Sequence, residues 1–409
     1  VGDQYAKRFA IHFPNEEREA GRPVRTRPAL ALQTALGGVF GLNYGWEHVQ
    51  WFADHPDAKD TNGFTRQNWF EPVGRECRML RNAAGIIDIS NFAKYRVRGG
   101  QAEAWLNAVF ANTMPKAVGR SCLTPLIGVR GGIAGDFTVT RLAEDEFMII
   151  GSGMAERYHQ RFWKMVPMPA GVSFESLTEA LCGFNVAGPK SRQLLQRLTN
   201  TSLATEDFPF MRSKRIELAG VDCIALRVSF TGDLGWELHC KTEDQLRLYE
   251  ALLDCGKDFD AGPVGARALM SLRVEKGYGS WSREYSPEYW PQEVGLAGLI
   301  KLDKDFLHKE AYLAIKDKDP RERLCIVEIL APDHADATGG EPIFDKAGAG
   351  VGRVTSGTYG YGVNKSLALC YLKNVTAGDE LDVMILGKPH HAIVLPEAPF
   401  DPKGEKLRA

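Results

Sequence analysis

The stretch Gly131-Gly132-Ile133-Ala134-Gly135-Asp136-Phe137-Thr138 combines three glycines with one carboxylate at the start of an apolar strand. Glycine lets the backbone turn sharply and approach a ligand closely. Because side chains alternate along a strand, Asp136 and Thr138 point to the same face. The pattern has two interpretations. Asp136 either meets the N–H groups of a flat heterocycle or a cation, or it caps the backbone amides of a hairpin turn.

A second stretch, residues 229–239, has the same construction. Two glycines bracket a tight loop, and the strand that follows carries Glu237 between two apolar residues. A carboxylate in such a position needs a hydrogen-bond partner or a ligand. Glu237 and His239 share one face of the strand, so either is a candidate for exposure to a pocket. The alternative is an edge strand with Glu237 in solvent.

Charged and aromatic side chains cluster between residues 265 and 290. A predicted helix over residues 265–277 carries Arg273 among carboxylates, and an internal ion pair is the favoured interpretation. Tyr278 lies at the end of this helix. The loop over residues 281–290 carries Trp281 and Arg283 among further aromatic residues. This loop either walls a heterocycle or its anionic tail, or packs on a neighbouring domain.

Hydrophobic periodicity divides the chain into three parts. Residues 1–60 lack the periodicity of a core and predict an extended arm that packs on something else. Residues 61–315 mix helical and strand patterns, with helices predicted over residues 71–84, 101–110, 242–253, 265–277 and 307–318. Residues 316–409 begin with a charged linker at 316–321 and then contain short strands at regular spacing, which is typical of a small β-barrel domain.

Composition excludes several classes of protein. With a formal net charge of −2, the chain has no broad positive field for nucleic acid or an acidic membrane surface. No apolar run reaches the length of a transmembrane helix. The eight cysteines are scattered without a CxxC pair, which favours reduced thiols and no metal site. No GxGxxG or Walker pattern is present, so we expect no dinucleotide or ATP site. The start at Val1 indicates processing or excision from a longer chain.

Taken together and in order, these stretches resemble the folate-binding family of the glycine cleavage system T-protein (aminomethyltransferase), whose domain also forms the C-terminal half of dimethylglycine and sarcosine dehydrogenases. The collinear order of the matching segments makes the resemblance specific. These segments are residues 85–90, 131–138, 231–238, 271–278, 291–296, 304–311 and 352–356. Residues 1–60 resemble the segment that bridges the oxidase and folate halves of the dehydrogenases, with the closest likeness at residues 8–14, 20–23 and 40–47.

The resemblance implies an α+β, three-part folate-binding fold around a central cavity, with a bridging arm (1–60), an aminomethyltransferase-like domain (61–315) and a C-terminal β-barrel (316–409). It implies tetrahydrofolate as the cofactor, with Asp136 beside N10 as the catalytic residue. Phe230 takes a place usually held by Tyr, and Leu123 also stands where a Tyr is common. The predicted cofactor-binding residues are Thr138, Phe230, Glu237, His239, Tyr278, Trp281 and Arg283.

The implied activity is capture of the carbon released by N-demethylation of dimethylglycine or sarcosine, as 5,10-methylenetetrahydrofolate. FAD would belong to a flavin oxidase domain or subunit absent from this chain, and the small methylated amine would be its substrate. The expected location is the cytoplasm, or the mitochondrial matrix in a eukaryote. Two alternatives are a flavin-independent demethylase that moves a methyl group from a sulfonium or aryl ether to folate, and a non-catalytic folate-binding module.

Overall fold

The structure is a computed structural model that describes residues 2–330 and 334–409, so the start at Val1 lies outside the described residues. The first half of the chain alternates short helices with antiparallel strands. Its elements are α1 (Gly2–Ala6), α2 (Leu30–Ala35), β1 (Gly38–Asn43), β2 (Trp46–Phe52), α3 (Phe70–Asn82), β3 (Gly85–Asp88), β4 (Ala93–Arg98), α4 (Ala102–Val109), β5 (Ser121–Ile127), β6 (Ile133–Ala143), β7 (Glu146–Gly151), α5 (Glu156–Trp163), β8 (Ser173–Ser176) and β9 (Leu181–Ala187).

In the described residues, the second half adds five helices, four of which precede the run of strands that begins at Arg323. Its elements are α6 (Ser191–Gln196), β10 (Ser213–Leu218), β11 (Val221–Leu226), β12 (Gly235–Lys241), α7 (Gln245–Gly256), β13 (Gly262–Val264), α8 (Ala266–Glu275), α9 (Lys309–Leu313), β14 (Arg323–Ile329), β15 (Pro342–Asp345), β16 (Gly350–Gly360), β17 (Lys365–Leu372), β18 (Glu380–Ile385), β19 (Lys388–Val394) and α10 (Glu405–Arg408). Across the described residues, no helix combines the length and apolar character needed to span a membrane.

Two sheets form the body. One is five-stranded, in the order β5-β6-β7-β4-β8, and the other is six-stranded, in the order β10-β11-β12-β9-β3-β13. In the five-stranded sheet, alternate residues such as Phe137 and Val139 are buried in a core shared with α4 and α5. In the six-stranded sheet, Trp236 and Leu238 are buried in a core shared with α6 and α7. Each sheet therefore has one face covered by its own helices.

The opposite faces of the two sheets meet at a small apolar cluster. Met148 and Ile150 of β7 pack there with Leu226 of β11. Residues directly opposite each other in an antiparallel ladder project from the same face. Thr138 lies opposite Ile150, and Glu237 lies opposite Leu226. The cluster therefore brings the Thr138 face of one sheet towards the Glu237 face of the other.

The C-terminal domain is a closed six-stranded barrel in the order β14-β17-β16-β15-β18-β19. The α+β architecture with a C-terminal barrel is thus confirmed. Strands β15 and β19 carry weak sequence patterns and were not predicted individually. The helix expected over residues 307–318 is wrong in length, because α9 is confined to Lys309–Leu313 and turns follow it.

Residues 38–52 form a hairpin rather than the extended chain expected for the arm. Tyr44 and Gly45 both have positive φ angles, of 52° and 83°. Two consecutive left-handed residues give the turn that matches the twist of a two-stranded hairpin. Val39 and Trp51 then pack against α3 and α8. The sequence signal for this hairpin is Asn43-Tyr44-Gly45 directly before the aromatic-rich segment 46–52.

A buried carboxylate holds this hairpin to the body. Glu76 of α3 accepts hydrogen bonds from the backbone amide of Phe52, at 2.6 Å, and from that of Gly265, at 2.8 Å. Burial raises the pKa of Glu76 to about 7, although the two amide bonds oppose that rise. Glu76 thus joins the end of β2 to the residue that precedes α8.

Replacing this carboxylate should loosen the hairpin. In Glu76→Ala two buried backbone amides lose their partners, so we expect the free energy of unfolding to fall by about 2–4 kcal/mol. Glu71→Ala, at an exposed position of the same helix, is the matched control and should change it by less than about 0.5 kcal/mol. Urea denaturation measures both. Equal effects of the two substitutions would contradict the assignment.

Candidate active site

Asp136 and Thr138 lie on β6, on the face turned away from the helix-covered core. Both are partly exposed, while Phe137 between them is buried. The alternation predicted from the sequence is therefore present. The glycine turn before the strand is closed by backbone bonds, from the Gly128 amide to the Gly132 carbonyl and from the Gly131 amide to the Gly128 carbonyl. Since Asp136 lies inside the strand, it does not cap that turn.

Among the described residues, no positive charge beside Asp136 balances its carboxylate. Its surroundings raise its pKa to about 6 through desolvation, and the only opposing effect comes from its own backbone amide. Tyr285 lies near enough for the Asp136 charge to add to the burial that raises the pKa of its phenol. A carboxylate that keeps partial exposure in a desolvated place, without an opposite charge, is poised to meet a ligand.

Glu237 and His239 lie on β12 and share one face of the six-stranded sheet. The Glu237 side chain keeps 18% of its exposure, whereas the His239 side chain keeps none. The two approach each other, with His239 Nε2 at 3.6 Å from Glu237 Oε2. Burial lowers the pKa of His239, so its ring is neutral at pH 7. Of this pair, Glu237 is the side chain that reaches the space between the sheets.

Two aromatic rings stack beside the loop that leads into β12. Phe230, in that loop, stacks on Tyr278 with ring centroids 6.0 Å apart and planes inclined by 18°. Both rings are partly exposed. The loop that begins at Tyr278 continues to Tyr285, which lies near Asp136. We call the space between the two sheets, towards which Asp136, Thr138 and Glu237 are directed, the central gap, and we infer that Phe230 and Tyr278 border it.

Trp281 and Arg283 lie on the same loop but differ in setting. The Trp281 ring packs edge-on against His159, with centroids 4.9 Å apart, and contacts Tyr158 at 5.7 Å. The Arg283 side chain is exposed. Tyr289, later in the loop, stacks on Tyr371 of the barrel at 3.6 Å. The later part of the loop therefore packs on the neighbouring domain, and its first part packs against α5.

The predicted internal ion pair of Arg273 is confirmed. Arg273 Nη1 lies 2.7 Å from Glu284 Oε2, and both side chains are fully buried. Arg273 Nη2 also donates to Ser356 Oγ at 2.6 Å, and Ser356 Oγ donates to Glu284 Oε1 at 2.6 Å. One network therefore joins α8, the aromatic loop and barrel strand β16. It fixes Tyr278, whose carbonyl accepts a hydrogen bond from Arg273 at 2.9 Å.

No sequence pattern singled out Lys94, His159 or Tyr285 by itself. Lys94 alternates with apolar residues as a solvent-facing lysine would, yet it is fully buried. His159 is a single histidine on a short helix that packs on Phe137, and its buried ring nitrogens have no hydrogen-bond partner among the described residues. Only Tyr285 had a sequence signal, as one of several aromatic residues in the loop.

A recess of about 440 Å³ lies at the junction of body and barrel and contains none of the predicted site residues. It is lined by Arg130, Pro287, Glu288, Tyr289, Trp290, Arg321, Glu322 and Arg353. Within residues 2–330 and 334–409, no group of three or more His, Cys, Asp or Glu side chains is arranged to hold a metal ion.

Residues 30–304 match the GCVT N-terminal domain, and residues 322–401 match the glycine cleavage T-protein C-terminal barrel domain. The chain belongs to the glycine cleavage T-protein family. This is a folate-dependent, aminomethyltransferase-like family, and the chain is related within it to dimethylglycine and sarcosine dehydrogenases. The resemblance deduced from the collinear segments is thereby confirmed.

Individual relatives of this T-protein family chain agree with that placement. Mitochondrial dimethylglycine dehydrogenase of Mus musculus is 34% identical over 97% of the chain and 46% of its own length. The formaldehyde-forming 4-methylaminobutanoate oxidase of Paenarthrobacter nicotinovorans is 31% identical over 98% of the chain and 49% of its own length. The chain therefore spans about half the length of these relatives.

A solved structure shows the shared fold. The glycine cleavage system aminomethyltransferase T from Bartonella henselae superposes with a TM-score of 0.79, at 22% identity, and covers 92% of this chain and 98% of that protein. The match includes both body and barrel, which confirms the predicted T-protein-like architecture.

The raised pKa of Asp136 gives a stability test that needs no ligand. A raised carboxyl pKa contributes stability that is complete below about pH 4 and is lost as the pH rises through about 6. Asp136→Asn, which stays neutral, should therefore gain about 1–2 kcal/mol over the parent protein at pH 8, and much less at pH 4.

Chemical denaturation of both proteins at the two pH values measures this difference. Asp222 is an exposed residue near the start of β11, so the stability of Asp222→Asn relative to the parent protein should show no comparable dependence on pH. A difference between Asp136→Asn and the parent protein that stays constant with pH would show that the Asp136 carboxylate is not desolvated.

Proposed function

We propose that this chain transfers a one-carbon unit to tetrahydrofolate and yields 5,10-methylenetetrahydrofolate. The observation that carries the proposal is the Asp136 carboxylate, which is desolvated, faces the central gap and has no opposite charge beside it among the described residues. Such a group is stabilised when a ligand brings an N–H group to it.

The side chains around the central gap suit a flat heterocycle with several N–H groups. Glu237 offers a second acceptor from the opposite sheet, and Thr138 offers a hydroxyl beside Asp136. The Phe230 and Tyr278 rings offer apolar faces for stacking. In this assignment Asp136 lies beside N10, Thr138 and Glu237 contact the pterin, and Trp281 and Arg283 border the approach to it.

The transfer balances with formaldehyde as the carbon source. The formaldehyde carbon forms one bond to N5 and one to N10, and its oxygen leaves as water with the two protons released from the nitrogens. Asp136 takes the N10 proton. With a pKa of about 6, the carboxylate is ionised at pH 7 and returns the proton to water readily.

We propose a flavin oxidase half as the source of the carbon. The chain spans about half of relatives named as dimethylglycine dehydrogenase and as a formaldehyde-forming oxidase. FAD would reside in that half, which would oxidise a small methylated amine such as dimethylglycine or sarcosine. Residues 1–60 would lead to it, and Phe9 and Ile11 are almost fully exposed there. The mitochondrial relatives favour the matrix as the location in a eukaryote.

Removing the carboxylate tests the catalytic role. We expect Asp136→Ala to lower the rate of formaldehyde-dependent methylenetetrahydrofolate formation by about 10²–10⁴-fold, the usual contribution of a general base. Asp222→Ala removes an exposed carboxylate and is the matched control. An unchanged rate in Asp136→Ala, with unchanged tetrahydrofolate binding by calorimetry, would remove Asp136 from the catalytic step.

The product separates this function from its rivals. Chromatographic detection of 5-methyltetrahydrofolate from a sulfonium or aryl ether donor would favour a direct demethylase. Tetrahydrofolate binding without any transfer would favour a folate-binding module. Absence of tetrahydrofolate binding by the intact chain would contradict all three.

A further inference from the structure

Lys94 is a buried cation on the face of the five-stranded sheet that looks towards the six-stranded sheet. Its side chain is fully buried, and it lies opposite Ile150 in the ladder. The ammonium donates to the carbonyls of Ser90, at 3.1 Å, and Phe92, at 2.9 Å. Since an ammonium carries three N–H donors, one of them has no acceptor among the described residues.

Two carboxylates lie near enough to act on the Lys94 charge, Asp88 and Glu237. Asp88 is already engaged, because its Oδ2 accepts hydrogen bonds from Gln33 at 2.9 Å and from Gln245 at 3.1 Å. Its Oδ1 accepts the Ser90 amide at 2.8 Å. Among the described residues, no side chain donates a hydrogen bond to Glu237 within 3.5 Å. Glu237 is therefore the carboxylate left to balance Lys94.

The charges of both Lys94 and Glu237 act on the ring of His239. The ring is fully buried and lacks a hydrogen-bond partner within 3.5 Å among the described residues, and Glu237 Oε2 lies 3.6 Å from its Nε2. Burial lowers the pKa of His239, the Glu237 carboxylate opposes that effect, and the Lys94 cation adds to it. A neutral imidazole has one N–H, and at Nε2 this N–H would face Glu237.

We propose that Lys94 and His239 are positioning residues for Glu237, a role that rests on the proposed folate function. The Lys94 cation lies on the sheet face that meets the Glu237 face and attracts the Glu237 carboxylate. The neutral His239 ring, 3.6 Å from that carboxylate, orients it into the central gap. His239 then acts through Glu237 instead of touching the cofactor itself.

The charge state of Lys94 agrees with this role. Burial lowers the pKa of its ammonium to about 8, with the Arg27 cation adding to the effect, while Cys182, Asp88 and Glu237 oppose it. Lys94 is therefore mostly protonated at pH 7. The guanidinium of Arg27 is directed to the backbone carbonyls of Thr178 and Glu179, so it does not replace Lys94 as the partner of Glu237.

A double-mutant cycle tests the proposal. Calorimetry would measure the Kd of the intact chain for tetrahydrofolate in the parent protein, Lys94→Met, Glu237→Gln and the double variant. We expect Lys94→Met to weaken binding by roughly 5- to 50-fold in the parent protein and by less than about twofold when Glu237 is already Gln. Equal weakening in both backgrounds would show that Lys94 has only a structural role and would overturn the proposal.

Lys304→Met is the matched control. Lys304 also donates to two backbone carbonyls, those of Asn107 and Phe110. These carbonyls lie at the C-terminal end of α4 and not beside Glu237. Lys304→Met should lower stability without changing the Kd for tetrahydrofolate. A Kd that rises as much in Lys304→Met as in Lys94→Met would contradict a specific role for Lys94.

Two further measurements test the proposal if Lys94→Met does not fold or if the parent protein does not bind tetrahydrofolate. Lys94→Gln, whose amide still donates to a carbonyl, replaces Lys94→Met if that variant does not fold. The same cycle by urea denaturation without ligand should show coupling between positions 94 and 237. If the parent protein does not bind tetrahydrofolate, the proposed function fails, while additive stability effects would overturn the Lys94 assignment by themselves.

Discussion

The apolar contact of Met148 and Ile150 with Leu226 is the constraint on which the arrangement of the site depends. Burying apolar area is favourable wherever two surfaces fit. Here it also fixes which polar residues face each other, because each strand alternates its side chains. Thr138 must project from the same sheet face as Ile150, and Glu237 from the same sheet face as Leu226. A change of register by one residue in either sheet would turn these side chains into the helix-covered cores.

The interior between the sheets therefore contains several charged side chains, and few of them form an ion pair with an opposite charge. Among the described residues, Asp136 has no opposite charge beside it, and the hydrogen bonds of the Lys94 ammonium go to backbone carbonyls and not to a carboxylate. Groups of this kind cost folding free energy. Folded proteins retain them mainly where a ligand or a reaction needs them. The stability that the site gives up is offset by the large cores on the outer faces of both sheets.

Buried ion networks hold the rest of the molecule against this centre. Arg273 and Glu284 connect the body to Ser356 of the barrel. Arg81 contacts Glu275 at 2.7 Å and also pairs with Asp233 in the loop that precedes β12. Buried pairs of this kind add little net stability, but breaking one of them is costly. They therefore act as fixed points that keep the aromatic loop and the Phe230 loop in register with the sheets.

The sequence alone determined the local chemistry: glycines before Asp136, alternation that puts Thr138 beside it, and the strand that carries Glu237. These features depend on neighbouring residues, so they are visible in the order of the chain. Tertiary structure alone decided that Lys94 is buried near Glu237, and that the 38–52 hairpin packs on α3 and α8. Burial and charge pairing join residues far apart in sequence, here by more than a hundred positions. Strand periodicity gives two faces for each strand but does not say which of them becomes the interior.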